Sequence, residues 1–318
     1  MHGDPAVNHP LLPDNAARQA IDSEAIFLEW LRVAKEAQKF AGGMYFKREG
    51  SYEYLVKTLP DNRQSRLGPR DERTEKTLLA FTEGKRSVEA RQRSLRESLR
   101  ESERLNKALR VGRVPNLVVD VLNELELAGL GPHFTVVGTH ALYAYEAAAS
   151  MRIEAGALAT QDVDLLWDAR KRVQFASTMA KLDSSLVKLL QRADPTFQRM
   201  EGQMESVVND KGFMVDFLRR MATEGDPHPF RFTEDEGDLW PVQAQRAEAF
   251  LNAPRYERVV FSVTGRMALM RTVSPAVFVA FKRWMAELDN RPAGKRRRDK
   301  LQADIVQQML DEKALQPG

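Results

Sequence analysis

Three aspartates set among apolar residues are the side chains in this chain best suited to chemistry. Asp162 and Asp164 alternate with Val163 and Leu165 in TQDVDLLWD, and Asp216 stands as a lone acid in FMVDFL. On a strand successive side chains point to opposite faces, so Asp162 and Asp164 share one side while Val163 and Leu165 take the other. Neighbouring carboxylates raise each other's pKa unless a cation lies between them, and hard oxygen ligands at this spacing suit Mg²⁺ or Mn²⁺. Upstream, FTVV breaks at Gly138-Thr139 into an Ala-rich run with helical spacing, which reads as strand, tight turn and helix. Glycine lets backbone approach a ligand closely, and a helix start offers unpaired N–H groups at the positive end of its dipole. Such a corner suits phosphate oxygens. An Asp-x-Asp pair alone is a weak signal, because many strand ends carry two solvated acids. With the glycine turn before it and Asp216 after it, the set is what two-metal phosphoryl or nucleotidyl transfer requires.

Gly138-Thr139, then Asp162-x-Asp164, then a strand-borne Asp216 resemble the active-site pattern of the DNA polymerase β-like nucleotidyltransferase superfamily. GTHALYAYE followed by TQDVDLLWD is similar to one bacterial, nucleotidyltransferase-like branch of it. The likeness spans residues 114–299. It implies an α+β fold whose polymerase β-like core is a mixed sheet flanked by helices. It also implies that Asp162 and Asp164 hold both metal ions, that Asp216 completes the ion activating the acceptor, and that Gly138 and Thr139 bind nucleotide phosphates. His140 follows that turn and is assigned to the nucleotide site, although a histidine in a first helical turn is more often a packed or capping side chain. In related branches a helix lysine and a later Lys/Arg-x-x-x-Asp turn pack against the nucleotide, and Lys282, Lys295 and Asp299 resemble those positions. A solvated basic loop is the competing reading of residues 295–298. The 24 positions from Gly138 to Asp162 exceed the spacing in many members, so a longer helix and loop are expected between them.

The whole chain must supply the elements that hold these groups. Its 318 residues, 43% hydrophobic, suffice for two domains with real cores. There is no cysteine, which excludes disulfides and thiolate metal sites. The first twenty residues lack the basic start and apolar core of a signal peptide, and no apolar run reaches membrane-spanning length, so a cytoplasmic protein without a membrane role is expected. A net charge of +3 permits a polyanionic partner without arguing for one.

In chain order, residues 1–20 are expected to be a mobile tail, followed by a mainly helical region over 21–112. Within it, Ser23 caps an amphipathic helix ending at Gly42-Gly43, residues 51–68 form a small hairpin, and residues 71–110 form a long helix or helical pair. Between Lys85 and Arg113 stand ten Lys/Arg and four Glu, a basic arm suited to phosphate contact, although charged helix faces are usually only solvated. The transferase core is expected over 113–265: a helix at 116–127, the two site strands, a helix over 168–190, a third-carboxylate strand at 213–218, a loop over 221–238 with His228 at its surface, and a strand at 257–263. C-terminal helices fill 266–318. One starts at Ser274-Pro275 and carries Lys282; another covers 300–310 after a basic turn.

The activity implied is Mg²⁺- or Mn²⁺-dependent transfer of a nucleoside monophosphate from an NTP to a hydroxyl. The basic arm favours an RNA 3′ end as acceptor, in a toxin-like or defence setting, with a small molecule or a protein side chain as alternatives. Two rival readings stand beside it. One is a non-catalytic nucleic-acid-binding or regulatory protein that keeps the fold, and the other is kinase-like phosphoryl transfer on the same metals.

Overall fold

A computed structural model describes residues 10–60, 62–182, 184–227 and 230–316. The chain divides into two compact units, one formed by Ile21–Arg104 and the other by Met1–Ala20 with Leu105–Gly318. Residues 1–9 of the expected tail and His228 lie outside the described residues.

The smaller unit contains most of α1 (Asp14–Gln38), strands β1 (Gly43–Glu49), β2 (Tyr52–Thr58) and β3 (Gln64–Pro69), and most of α2 (Glu72–Ala108). Helix α1 begins nine residues before Ser23, which is buried within it rather than capping it. The expected hairpin is its β2–β3 part, and β1 adds a third antiparallel strand. Helix α2 is one continuous helix of 37 residues. It passes through Gly84 because a Cβ there would lie 2.6 Å from the Phe40 ring, so the glycine makes room for close packing.

The larger unit is a mixed sheet flanked by helices, the α+β class that the sequence suggests. Its strands are β4 (Phe134–Val137), β5 (Asp162–Trp167), β6 (Gln198–Met200), β7 (Gln203–Val208), β8 (Met214–Arg219), β9 (Val242–Gln243), β10 (Arg255–Phe261) and β11 (Met267–Val273). They run in the order β10-β11-β4-β5-β8-β7-β6, with β9 also pairing with β8. The helices are α3 (Asn116–Leu127), α4 (Leu142–Ala149), α5 (Ala155–Leu158), α6 (Arg172–Leu182), α7 (Leu186–Leu190), α8 (Ala247–Asn252), α9 (Pro275–Glu287) and α10 (Ala293–Asp311). Helix α3 packs on β11, α4 on β10, and α9 against α10.

Several expectations change. The helix expected over 168–190 is a short 3-10 turn followed by α6 and α7, broken between Leu182 and Ser185. The sequence reading places no strand at β6, β7, β9 or β11. The edge strand β6 and its neighbour β7 are too polar to show a clean alternation, whereas β11 is buried at six of its seven residues and so shows no period of two. Residues 293–299, expected as a turn, are the first two turns of α10. Among the described residues no helix is long and apolar enough to cross a membrane.

The register of β5 against β8 positions the acids. These strands are parallel, with Asp162 opposite Met214 and Asp164 opposite Asp216. Val163, Leu165, Val215 and Phe217 point to the other face and are fully buried. There Phe134, Trp167, Phe175, Phe217 and Phe232 form an edge-to-face aromatic cluster. Burying each such side chain contributes about 1.5–3 kcal/mol, and a one-residue slip would exchange acids for apolar groups, so the core fixes the register of the aspartates.

Candidate active site

Gly138 sits at φ +68°, and a Cβ on it would lie 2.2 Å from Asp164 Oδ2. Both facts demand glycine, because the left-handed region penalises a Cβ and the carboxylate already occupies its place. The chain leaves β4 through this turn, passes a 3-10 turn over Gly138–Ala141 and enters α4. Between Ser150 and Asp162 it adds α5, which with α4 accounts for the long spacing seen in the sequence.

Asp162, Asp164 and Asp216 offer one carboxylate oxygen each within 4.8 Å of one another. Their surroundings are polar on one side only. Thr160 Oγ1 donates to Asp162, and Ser206 Oγ on β7 donates to Asp216 Oδ1 at 2.6 Å. Burial, followed by the charges of Asp162 and Asp216, pushes the Asp164 carboxyl up to about 7, against the pull of Lys282 and Lys295. Asp216 is also raised, by burial first, with the Ser206 hydrogen bond opposing and Asp162 adding. Asp164 and Asp216, both raised, have no salt-bridge partner among the described residues, and a divalent cation bound by oxygen is the chemical species that would relieve them.

Asp162 and Asp164, but not Asp216, open onto a cavity of about 420 Å³ whose lining also includes Gly138, Thr139 and Thr160. The opposite wall comes from α9 and α10 with Phe281, Lys282, Trp284, Met285, Arg291, Lys295 and Arg298. Phe250 packs edge-on against Phe281 at 4.5 Å between ring centres, and the Arg246 guanidinium lies 4.5 Å from the centre of the Trp284 ring. One end of the cavity is therefore acidic, the far wall cationic and aromatic.

The remaining predicted residues are brought near this cavity in unequal ways. Thr139 lines it and accepts a hydrogen bond at 3.2 Å from Gln302 Nε2, which also donates to the Ala157 carbonyl at 2.6 Å. His140 does not line the cavity: it is 1% exposed, packs against Tyr143 and Phe213, and burial drives its imidazole down to about 4 despite the charge of Asp162 and a hydrogen bond to its backbone. It is a neutral packing group, the commoner reading of such a histidine. Lys282 Nζ donates to Asp299 Oδ1 at 2.9 Å, and Arg291 also donates to Asp299. Asp299 is fully buried behind these two cations and does not line the cavity. Burial alone would raise its carboxyl, but Arg291 and Lys282 hold it below the usual carboxylate value. Burial lowers the Lys282 ammonium, with Asp299 and Asp164 pulling the other way.

Sequence reasoning missed Ser206, Arg291, Gln302 and the aromatic wall. Gln302 had a signal: Lys295, Asp299 and Gln302 fall at i, i+4 and i+7, one face of a helix, once α10 is extended back to Ala293. Ser206 had none, because its strand was not legible.

The sheet presents three converging aspartates beside a glycine turn, a group that could hold a metal ion. The model of a family described as nucleotidyltransferase matches residues 116–317, nearly two thirds of the chain, and the chain belongs to that family. Comparison with curated proteins and with solved structures found no match.

Proposed function

We propose that this protein is a divalent-metal-dependent nucleotidyltransferase of the polymerase β-like type, moving a nucleoside monophosphate from an NTP to a hydroxyl acceptor. The observation that carries this reading is the convergence of Asp162, Asp164 and Asp216 within 4.8 Å beside a glycine that contacts Asp164 directly.

The donor set fits Mg²⁺ or Mn²⁺: hard carboxylate oxygens, with no histidine or thiol among them. When bound, the ions supply charge neutralisation at the triphosphate and acidify the attacking hydroxyl. The chain's own groups do the rest. Asp162 and Asp164 would hold the ions from β5, and Asp216, which accepts a hydrogen bond from Ser206, would complete the one that activates the acceptor. The Gly138-Thr139 turn meets phosphate oxygens, with Thr139 held in place by Gln302. Lys282, Lys295, Arg291 and Arg298 face the acids from the other wall, where cations offset the charge that builds on the leaving pyrophosphate. The acceptor oxygen bonds to the α-phosphorus as the α–β bridging P–O bond breaks, and the hydroxyl proton passes to a carboxylate or to solvent. Phe281, Trp284 and Met285 offer an apolar wall for a nucleobase.

The test is incubation of purified protein with each α-³²P-labelled NTP, Mg²⁺ or Mn²⁺, and total cellular RNA, beside an Asp162→Ala/Asp164→Ala control. Label transfer or pyrophosphate release that requires both acids is the expected result. Release of nucleoside diphosphate instead would establish kinase-like transfer. No nucleotide consumption with RNA or in crude extract would overturn the enzymatic reading in favour of a binding protein.

A further inference from the structure

The sheet of the smaller unit carries a surface that the catalytic reading does not use. Along β1 and β2 the register pairs Tyr45 with Val56, Lys47 with Tyr54 and Glu49 with Tyr52, and β3 pairs Arg66 with Val56. Cross-strand partners share a face, so Tyr45, Lys47, Tyr52, Tyr54 and Arg66 stand on one side of the sheet. On the other side Leu55 is fully buried and Lys57 lies over the Phe81 ring of α2, while on the tyrosine side Val56 is buried between its exposed neighbours.

The outward face is unusually aromatic for a solvated surface. Tyr45 is 41% and Tyr52 67% exposed, and the Tyr52 and Tyr54 rings lie 6.4 Å apart. The Arg66 guanidinium stacks 3.3 Å from the centre of the Tyr54 ring, which extends the flat surface onto a third strand. Lys47 and Arg66 reach Glu49 at 3.3 and 2.5 Å, a contact that phosphate oxygens can exchange for because the pairs are half-exposed. Charge points the same way. Residues 21–104 contain eighteen Lys/Arg and fifteen Asp/Glu, so the +3 of the whole chain resides in this unit and the remainder is neutral. Exposed tyrosine rings, tilted by 46° between Tyr52 and Tyr54 and flanked by cations, fit unpaired bases and their backbone, whereas a duplex hides its base faces. The tyrosine hydroxyls add donors and acceptors that a ribose 2′-OH can use.

We infer that the Tyr45/Tyr52/Tyr54/Arg66 face of this sheet binds single-stranded RNA by base stacking, and that it recruits the hydroxyl acceptor. The second clause rests on the nucleotidyl-transfer reading; the first stands without it. The surface lies on the sheet and not on the basic run of α2, which has cations but no aromatic side chains from Lys85 onward.

Fluorescence anisotropy on the full chain tests this, using a labelled oligouridylate of about twelve nucleotides, an oligothymidylate of the same length and an RNA duplex, at about 50 and about 200 mM salt. Tightest binding to the oligouridylate is expected, with Tyr45→Ala/Tyr52→Ala/Tyr54→Ala weakening it by about thirtyfold or more. The matching Tyr→Phe triple variant, which keeps the rings, is expected to stay within about threefold on DNA while losing part of the preference for RNA. Arg93→Ala/Arg96→Ala/Arg100→Ala on α2 is expected to leave the single-strand preference intact. Duplex bound as tightly as single strand, DNA bound as tightly as RNA, or an unchanged Tyr→Ala variant would each overturn the inference, as would a protein that binds none of the three. Pyrophosphate release is measured on the same preparations. Transfer without RNA binding sinks the acceptor surface alone, and RNA binding without transfer sinks the catalytic reading alone.

Discussion

Asp164 and Asp299 are two carboxylates, one lining the cavity and one buried behind its cations, and the chain treats them in opposite ways. Asp299 on α10 meets Lys282 and Arg291, and its carboxyl is held low. Asp164 on β5 meets two more carboxylates, and its own rises to about 7. A buried charge that is paired belongs to the scaffold, whereas one that the fold leaves in conflict awaits a cation from outside. The difference separates an acid paired within the chain from one that the proposed reaction would use.

Asp164→Asn breaks the comparison most sharply. Transfer is expected to fall on the order of a hundred- to thousandfold, while the metal-free protein becomes more stable at pH 8. A variant that loses both activity and thermal stability would make Asp164 a structural acid. Asp299→Ala should do the reverse in kind: it strands Lys282 and Arg291 and is expected to cost about 3–5 kcal/mol of folding stability. Chemical denaturation measures it, and a loss under about 1 kcal/mol would show that the two cations find solvent instead.

The two acids also differ in how stability follows pH. The folded Asp164 carboxyl lies at about 7 against an ordinary 3.8, so the folded state holds its proton more tightly than the unfolded chain does. Its contribution is greatest in acid and is lost as pH rises toward 7, by roughly 4 kcal/mol in all at about 1.4 kcal/mol per pH unit. Asp299 is depressed, so its contribution is present above the ordinary carboxylate range and is lost as pH falls through its lowered value. Thermal melts from pH 5 to 8 should therefore show Mg²⁺ stabilising the protein far more at pH 8 than at pH 5.5. Equal Mg²⁺ shifts at both would break the assignment of the ion to Asp164.

Smaller effects probe the supports. Gly138→Ala adds a left-handed penalty of about 1–2 kcal/mol and pushes on Asp164, so metal affinity measured by calorimetry should drop with the stability. Gln302→Ala removes the donor to Thr139 and Ala157, and about 1–3 kcal/mol of stability is expected to go with it. A raised KM for NTP with little change in kcat would identify Gln302 as a residue that positions the phosphate turn. A KM that stays put would confine it to packing.

The alternation of TQDVDLLWD, the isolated acid of FMVDFL and the break at Gly138 were legible because each is a local pattern with a period or a turn residue behind it. So were α3, α9 and the start of β4. Ser206 was hidden in β7, a strand without clear alternation, and β11 was hidden because it is buried on both faces. The helical start at Asp14 was hidden because the burial of Ser23 inside the fold overrides its preference for a cap.

Sequence by itself determined which residues could be acids on a strand face, and where the glycine turn lies, because strand periodicity and backbone freedom are properties of a few neighbouring residues. Only the tertiary structure decided that Asp164 and Asp216 stand side by side, since that depends on the register of two strands about fifty residues apart. It alone separated the paired Asp299 from the three converging acids as well. Pairing, burial and charge conflict arise between segments, and no local pattern encodes which carboxylate will find a cation within the chain and which will not.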